Sequence, residues 1–111
     1  MSRREPGQPG GPSSASSAGF GLDPDQNPVL RVFLQDGRLT AMPAKWSKRM
    51  VVLDYLAQVF EPGTHYTEDE ASALLRAFHP DYAMLRRYLV DEGFLDRADG
   101  IYWRSGGTFL L

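Results

Sequence analysis

The stretch Phe78 to Arg104, FHPDYAMLRRYLVDEGFLDRADGIYWR, restricts the fold more than any other part of the chain. Apolar residues recur at helical spacing up to Gly93, then give way to two short apolar runs joined through Asp99-Gly100. The helix is expected from about Pro80 to Glu92, because proline suits a first turn and disfavours helix just before it. Tyr82, Leu85 and Leu89 share its core face, and Gly93 supplies the left-handed residue that ends it. Two strands follow, near Phe94–Arg97 and Ile101–Arg104. Alternation places Leu95 on one face, and Ile101 and Trp103 together on one face of the return strand.

Upstream, Thr67-Glu68-Asp69-Glu70 reads as a helix start. The Thr67 hydroxyl accepts from the Glu70 backbone while the Glu70 carboxylate reaches back, a capping box, and three acids in the first turn suit the helix dipole. Ala71, Leu74, Leu75 and Phe78 form the apolar stripe, and His79-Pro80-Asp81 stops one helix and starts the next. An earlier helix spans Lys45 to Phe60, with Val52, Leu53, Leu56, Val59 and Phe60 as its buried stripe and Ser47 as its expected N-cap. Glu61-Pro62-Gly63 ends it, and His65-Tyr66-Thr67 is a short extended piece. In VLRVFLQDGRLTAM (29–42), Asp36-Gly37 between apolar runs signals either a hairpin or a turn entered from a short helix.

Helix, short strand, helix, tight turn, helix and hairpin is the order of a winged helix-turn-helix. The expected class is therefore α+β, with three helices, a C-terminal two-strand wing, and an N-terminal hairpin or short helix. Of the first 25 residues, 14 are Gly, Pro or Ser, too little apolar surface to offset the entropy of ordering them. The expected organisation is a disordered tail over 1–27, the winged-helix domain over 28–104, and a short C-terminal tail over 105–111. The SGGTFLL end reads either as frayed or as an addition to the ribbon.

The chain has no cysteine, which excludes thiol catalysis, disulfide frameworks and cysteine zinc sites. No window is long and apolar enough for a membrane span or a signal peptide, so a soluble, cytoplasmic protein without a membrane partner is expected. No nucleophile motif, phosphate loop, paired-carboxylate signature or cofactor motif is present, which points away from an enzyme. His65 and His79 lie in separate turns and are expected to cap or turn the chain rather than bind metal. The net charge of −2 carries no global basic excess, so any nucleic-acid contact must rest on a local patch.

Three blocks, RLTAMPAKWSKR (38–49), FEPGTHYTEDE (60–70) and the 78–104 stretch, resemble a bacterial family of unknown function. Its domains occur alone or behind helix-turn-helix transcriptional regulators of the arsenical-repressor type. The resemblance covers about residues 33–104 and departs from the family pattern at Trp46, commonly basic, and Met84, commonly threonine. It implies a winged-helix-like domain tied to transcription control, with no characterised activity to transfer.

Two basic surfaces are candidates. Lys45, Lys48 and Arg49, with Arg38 upstream and Trp46 interleaved, suit phosphate contact with stacking; the other reading is a Trp46 folded onto the domain and charges that only solubilise. The face of the last helix opposite its core carries Ala83, Arg87 and Asp91, flanked by Met84 and Val90, and Arg87 can meet a phosphate or a guanine edge. Arg86 lies nearer the core and is expected to pair with a carboxylate or pack its stem. Arg97 and Arg104 are the wing cations, beside Asp96 and Asp99, and Tyr102 and Trp103 read as ribbon packing. The expected function is weak, salt-sensitive binding of DNA or RNA in transcription. The alternative is a protein-interaction or homodimer module using Trp46, Met84 and Tyr88.

Overall fold

The computed structural model describes residues 21–108, and its regular elements run from Pro28 to Arg104. Most of the expected N-terminal tail, residues 1–20, and residues 109–111 of the C-terminal tail lie outside the described residues. Helix α1 (Pro28–Phe33) starts at Asn27, whose side-chain oxygen accepts from the Val29 and Leu30 amides at 2.9 and 3.2 Å. Pro28 takes a first-turn position, where its missing N–H leaves no bond unmade. The helix passes directly into β1 (Leu34–Gln35), which pairs antiparallel with β2 (Arg38–Leu39). Asp36 and Gly37 close that hairpin with φ of 53° and 77°, the primed turn whose twist matches the strands. The short helix and the hairpin, open alternatives in the sequence, both form.

Helix α2 (Trp46–Ala57) buries Val52, Leu53, Leu56 and Ala57. Its N-cap is Lys45, not the expected Ser47, and no side chain caps it. The chain leaving Pro43 turns helical two residues early because Arg49 reaches back, donating to the Ala44 and Pro43 carbonyls at 2.9 and 3.4 Å. Beyond a break at residues 61–65 comes β3 (Tyr66–Thr67), and Thr67 then caps α3 (Glu68–Arg76). The capping box is complete: Glu70 N donates to Thr67 Oγ1 at 3.1 Å, and Thr67 N donates to Glu70 Oε1 at 2.9 Å. Thr67→Ala is expected to cost about 1 kcal/mol of unfolding free energy in urea titration. A loss no larger than a few tenths of a kcal/mol would show that the box contributes nothing.

Helix α4 (Tyr82–Asp91) begins two residues after Pro80. Asp81 holds its start, accepting from Met84 N at 3.2 Å while its own amide donates to His79 Nδ1 at 2.9 Å. His79 therefore has the turn role expected of it. Gly93, at φ 83°, ends the helix: Phe94 N bonds the Leu89 carbonyl and Gly93 N the Val90 carbonyl. That paired closure needs a left-handed residue at this position.

Strands β4 (Leu95–Ala98) and β5 (Ile101–Arg104) are joined by Asp99-Gly100, with φ of 52° and 77° and Ala98 opposite Ile101. The hairpin is not an isolated two-strand ribbon. Strand β3 pairs with the free side of β5, Tyr66 opposite Tyr102, giving the antiparallel order β3-β5-β4. Ile101 and Trp103 do share a face, but it is the half-buried outer one; Tyr102 and Arg104 turn inward beside Leu95. Tyr102, Phe60, Leu53, Leu56, Leu75, Leu85 and Leu89 form one core, and Phe60 meets Tyr66 edge-on at 5.1 Å. The described residues thus form a small α+β unit of four helices and two antiparallel sheets. The helix count exceeds the expected three because the optional N-terminal helix forms beside its hairpin, and the expected short strand β3 joins the wing to make a three-stranded sheet.

Candidate functional site

The exposed side of α4 follows from its core direction. Leu85 and Leu89 are buried, while Ala83, Arg87 and Asp91 face solvent, with Met84 and Val90 half-buried at the flanks. Arg86 is held on the inner edge of this face. Its guanidinium donates to Ser72 Oγ at 2.6 Å and lies 3.8 Å from Glu68 Oε2, so α3 fixes its position. It pairs with a carboxylate, as its place on the helix implied.

Strand register brings a third arginine to the same place. Arg97 stands opposite Tyr102, and directly opposed residues of an antiparallel pair share a face. Tyr102 faces the helices, so Arg97 does too. The result is a groove of about 230 Å³ between α4 and the hairpin, walled by Arg86, Arg87, Val90 and Asp91 on one side and Arg97 and Tyr102 on the other. The Arg86 and Arg97 guanidinium carbons lie 5.8 and 5.7 Å from the Tyr102 ring centroid, within cation–π reach. Among the described residues, no carboxylate lies at ion-pair distance from Arg87 or Arg97. Three guanidiniums facing one wall carboxylate concentrate positive charge in a chain whose net charge is −2.

The patch at the start of α2 is smaller than its sequence suggests. Lys45 and Lys48 are exposed, and Trp46 is 58% exposed although its indole Nε1 donates to Glu92 Oε1 at 3.3 Å. Arg49 is half-buried, bonded to two backbone carbonyls, with its guanidinium 5.4 Å from the Tyr88 ring centroid. The Trp46–Glu92 bond brings the start of α2 to the C-terminal end of α4. On the other flank of α4, Met84, Arg87, Tyr88 and Asp91 line a second depression of about 310 Å³.

Two further candidates have structural partners. Arg38 donates to the Ala77 carbonyl at 3.1 Å, closing the C-terminal end of α3, where a cation also suits the dipole. Arg104 is a correction to the expected wing cations. It is 7% exposed, because the residue two positions from an inward-facing Tyr102 is itself inward. Its guanidinium bonds the carbonyls of Ala57, Phe60, Gly106 and Thr108, and it cannot reach a ligand at the surface. His65 lies against Trp103, ring centroids 5.4 Å apart.

Among the described residues, no group of three or more His, Cys, Asp or Glu is placed to hold a metal ion, and no helix is long and apolar enough to cross a membrane. A family model, DUF2087, described as an uncharacterized protein conserved in bacteria, matches residues 38–104. No curated protein and no solved structure matches the chain.

Proposed function

The chain belongs to the DUF2087 family of uncharacterized bacterial proteins, and on that premise we propose that it is a small winged-helix protein that binds nucleic acid by phosphate contact. In this reading α2, α3 and α4 are the three helices, β4–β5 is the wing, and α1 with its hairpin is an addition. The link to transcription control comes from the resemblance to domains found behind arsenical-repressor-type regulators. One observation carries the reading: Arg87 on the last helix and Arg97 on the wing strand, far apart in sequence, line one groove, and among the described residues neither has a carboxylate at ion-pair distance. Cations on a helix and the adjoining wing suit a backbone that passes between them. Lys45 and Lys48 extend the contact past the end of α4.

Binding of this kind is weak and strongly salt-dependent, because each phosphate contact acts through counterion release. Fluorescent single-stranded DNA, duplex DNA and RNA are expected to bind the full chain at about 50 mM salt and to dissociate by about 200 mM. Lys45→Glu with Lys48→Glu is expected to weaken binding of all three about tenfold or more. No binding at low salt, or no effect of the double change, overturns the reading.

A second reading rests on Trp46 and the Met84–Tyr88 depression. An indole 58% exposed, with a separate depression on α4 that includes Met84 and Tyr88, suits a protein partner or a second copy of the chain. Sedimentation of the full chain separates the two: a dimer broken by Trp46→Ser, without nucleic-acid retention, favours this one.

A further inference from the structure

We propose that the groove between α4 and β4–β5 is a phosphate-ester site, in which Arg87 and Arg97 hold the phosphate oxygens and Arg86 is the fixed positive wall. This deepens the nucleic-acid reading and rests on it only for the source of the phosphate.

The three arginines differ in what holds them. Arg86 is anchored by Ser72 and lies near Glu68, so its charge is set in place but partly compensated. Arg87 and Arg97 have no carboxylate at ion-pair distance among the described residues. Planar guanidiniums with free forked donors match the tetrahedral oxygens of a phosphate, which accepts two bonds from each. Tyr102 forms the floor. Its ring is 1% exposed and carries both Arg86 and Arg97 within cation–π distance, so the two charges sit beside one rigid aromatic wall. A phosphate entering here exchanges water for preorganised donors, which lowers the ordering cost of binding.

Asp91 sets the limit. It lines the same groove, four residues after Arg87 on the same helix face. One carboxylate repels a second anionic group, so the groove suits a single phosphate ester rather than a polyphosphate chain. The groove's volume of about 230 Å³ has room for a phosphate group with part of its nucleoside.

The ester is supplied either by a nucleic-acid strand or by a free nucleotide, and amide-shift titration of the isotope-labelled full chain at low salt distinguishes them. The probes are inorganic phosphate, a nucleoside monophosphate and a short single-stranded oligonucleotide. Shifts at Arg86, Arg87, Arg97 and Tyr102 are expected with the oligonucleotide. The same shifts with the monophosphate alone assign the free nucleotide as a source. Arg87→Gln and Arg97→Gln are expected to weaken binding about fivefold each and to reduce the salt slope by about one. Both residues are exposed, so circular dichroism should show an intact fold. Asp91→Asn is expected to tighten binding about two- to fivefold.

Oligonucleotide shifts confined to Lys45–Lys48, with Arg97→Gln binding as the unaltered chain does, overturn the groove and leave nucleic-acid binding standing. Shifts from the monophosphate without any oligonucleotide binding do the reverse. Affinity unchanged or weakened by Asp91→Asn also overturns the groove.

Discussion

Arg104→Ala is expected to lower the unfolding free energy by about 3 kcal/mol, within the range for breaking a buried charged network. The side chain is 7% exposed. It donates to the Ala57 and Phe60 carbonyls at 2.8 and 3.1 Å, where α2 ends, and to Gly106 and Thr108 at 3.0 and 2.8 Å. Burial lowers its pKa, and the charges of Asp54 and Tyr66 oppose that shift. A guanidinium nevertheless stays charged at any working pH, so the loss should be the same at pH 6 and pH 8. Alanine leaves those carbonyls without their donor and releases the segment after β5, which Asp54 also holds through Thr108 N and Oγ1 at 2.7 and 2.6 Å. In a thermal scan the midpoint should fall on the order of 15 °C for a domain of this size. Lysine at this position recovers only part of the loss, because it lacks the planar fork. A change under about 1 kcal/mol in urea titration would show that the network is not what ties the sheet to α2.

The local signals that the chain carried were those with a single physical solution. Thr67 and Glu70 satisfy two orphan amides reciprocally, and Gly93 supplies a conformation most residues resist. Asp36-Gly37 and Asp99-Gly100 each close a two-residue turn. Elsewhere tertiary contacts chose among local options. Ser47 was a suitable cap, but Arg49 closes the preceding carbonyls and the helix starts earlier. Tyr66-Thr67 is too short to announce a partner, and its pairing with β5 depends on a chain reversal through α3 and α4.

The groove was half legible. Arg87 was recognisable as an exposed cation from the helical period alone, and Arg86 as an inner one. The Asp99-Gly100 turn also contained the remaining signal: a two-residue loop pairs Ala98 with Ile101 and therefore Arg97 with Tyr102. What alternation could not supply was which face is inward, because Ile101 and Trp103 are as apolar as Tyr102. Arg104 illustrates the cost of that ambiguity. An arginine at the end of a strand reads as a surface cation until the burial of the residue two before it is known.

Tyr102→Ala is expected to have the largest effect of any single change at the groove, about 4 kcal/mol, as for other buried aromatic truncations. The ring is 1% exposed and belongs to the central strand, with Tyr66 opposite on β3 and Arg97 opposite on β4. Its removal opens a cavity where the sheet meets the helices and strips the shared wall from Arg86 and Arg97. Tyr102→Phe keeps the ring and removes only the hydroxyl, so its cost should stay within about 1 kcal/mol. Tyr102→Leu separates fold from site: much of the buried volume remains, but the π face that carries two cations is gone. That variant should fold, with intermediate stability in urea titration, and should bind the oligonucleotide less tightly than Tyr102→Phe. Equal binding by the leucine and phenylalanine variants would reduce Tyr102 to packing alone and leave the arginines to position themselves.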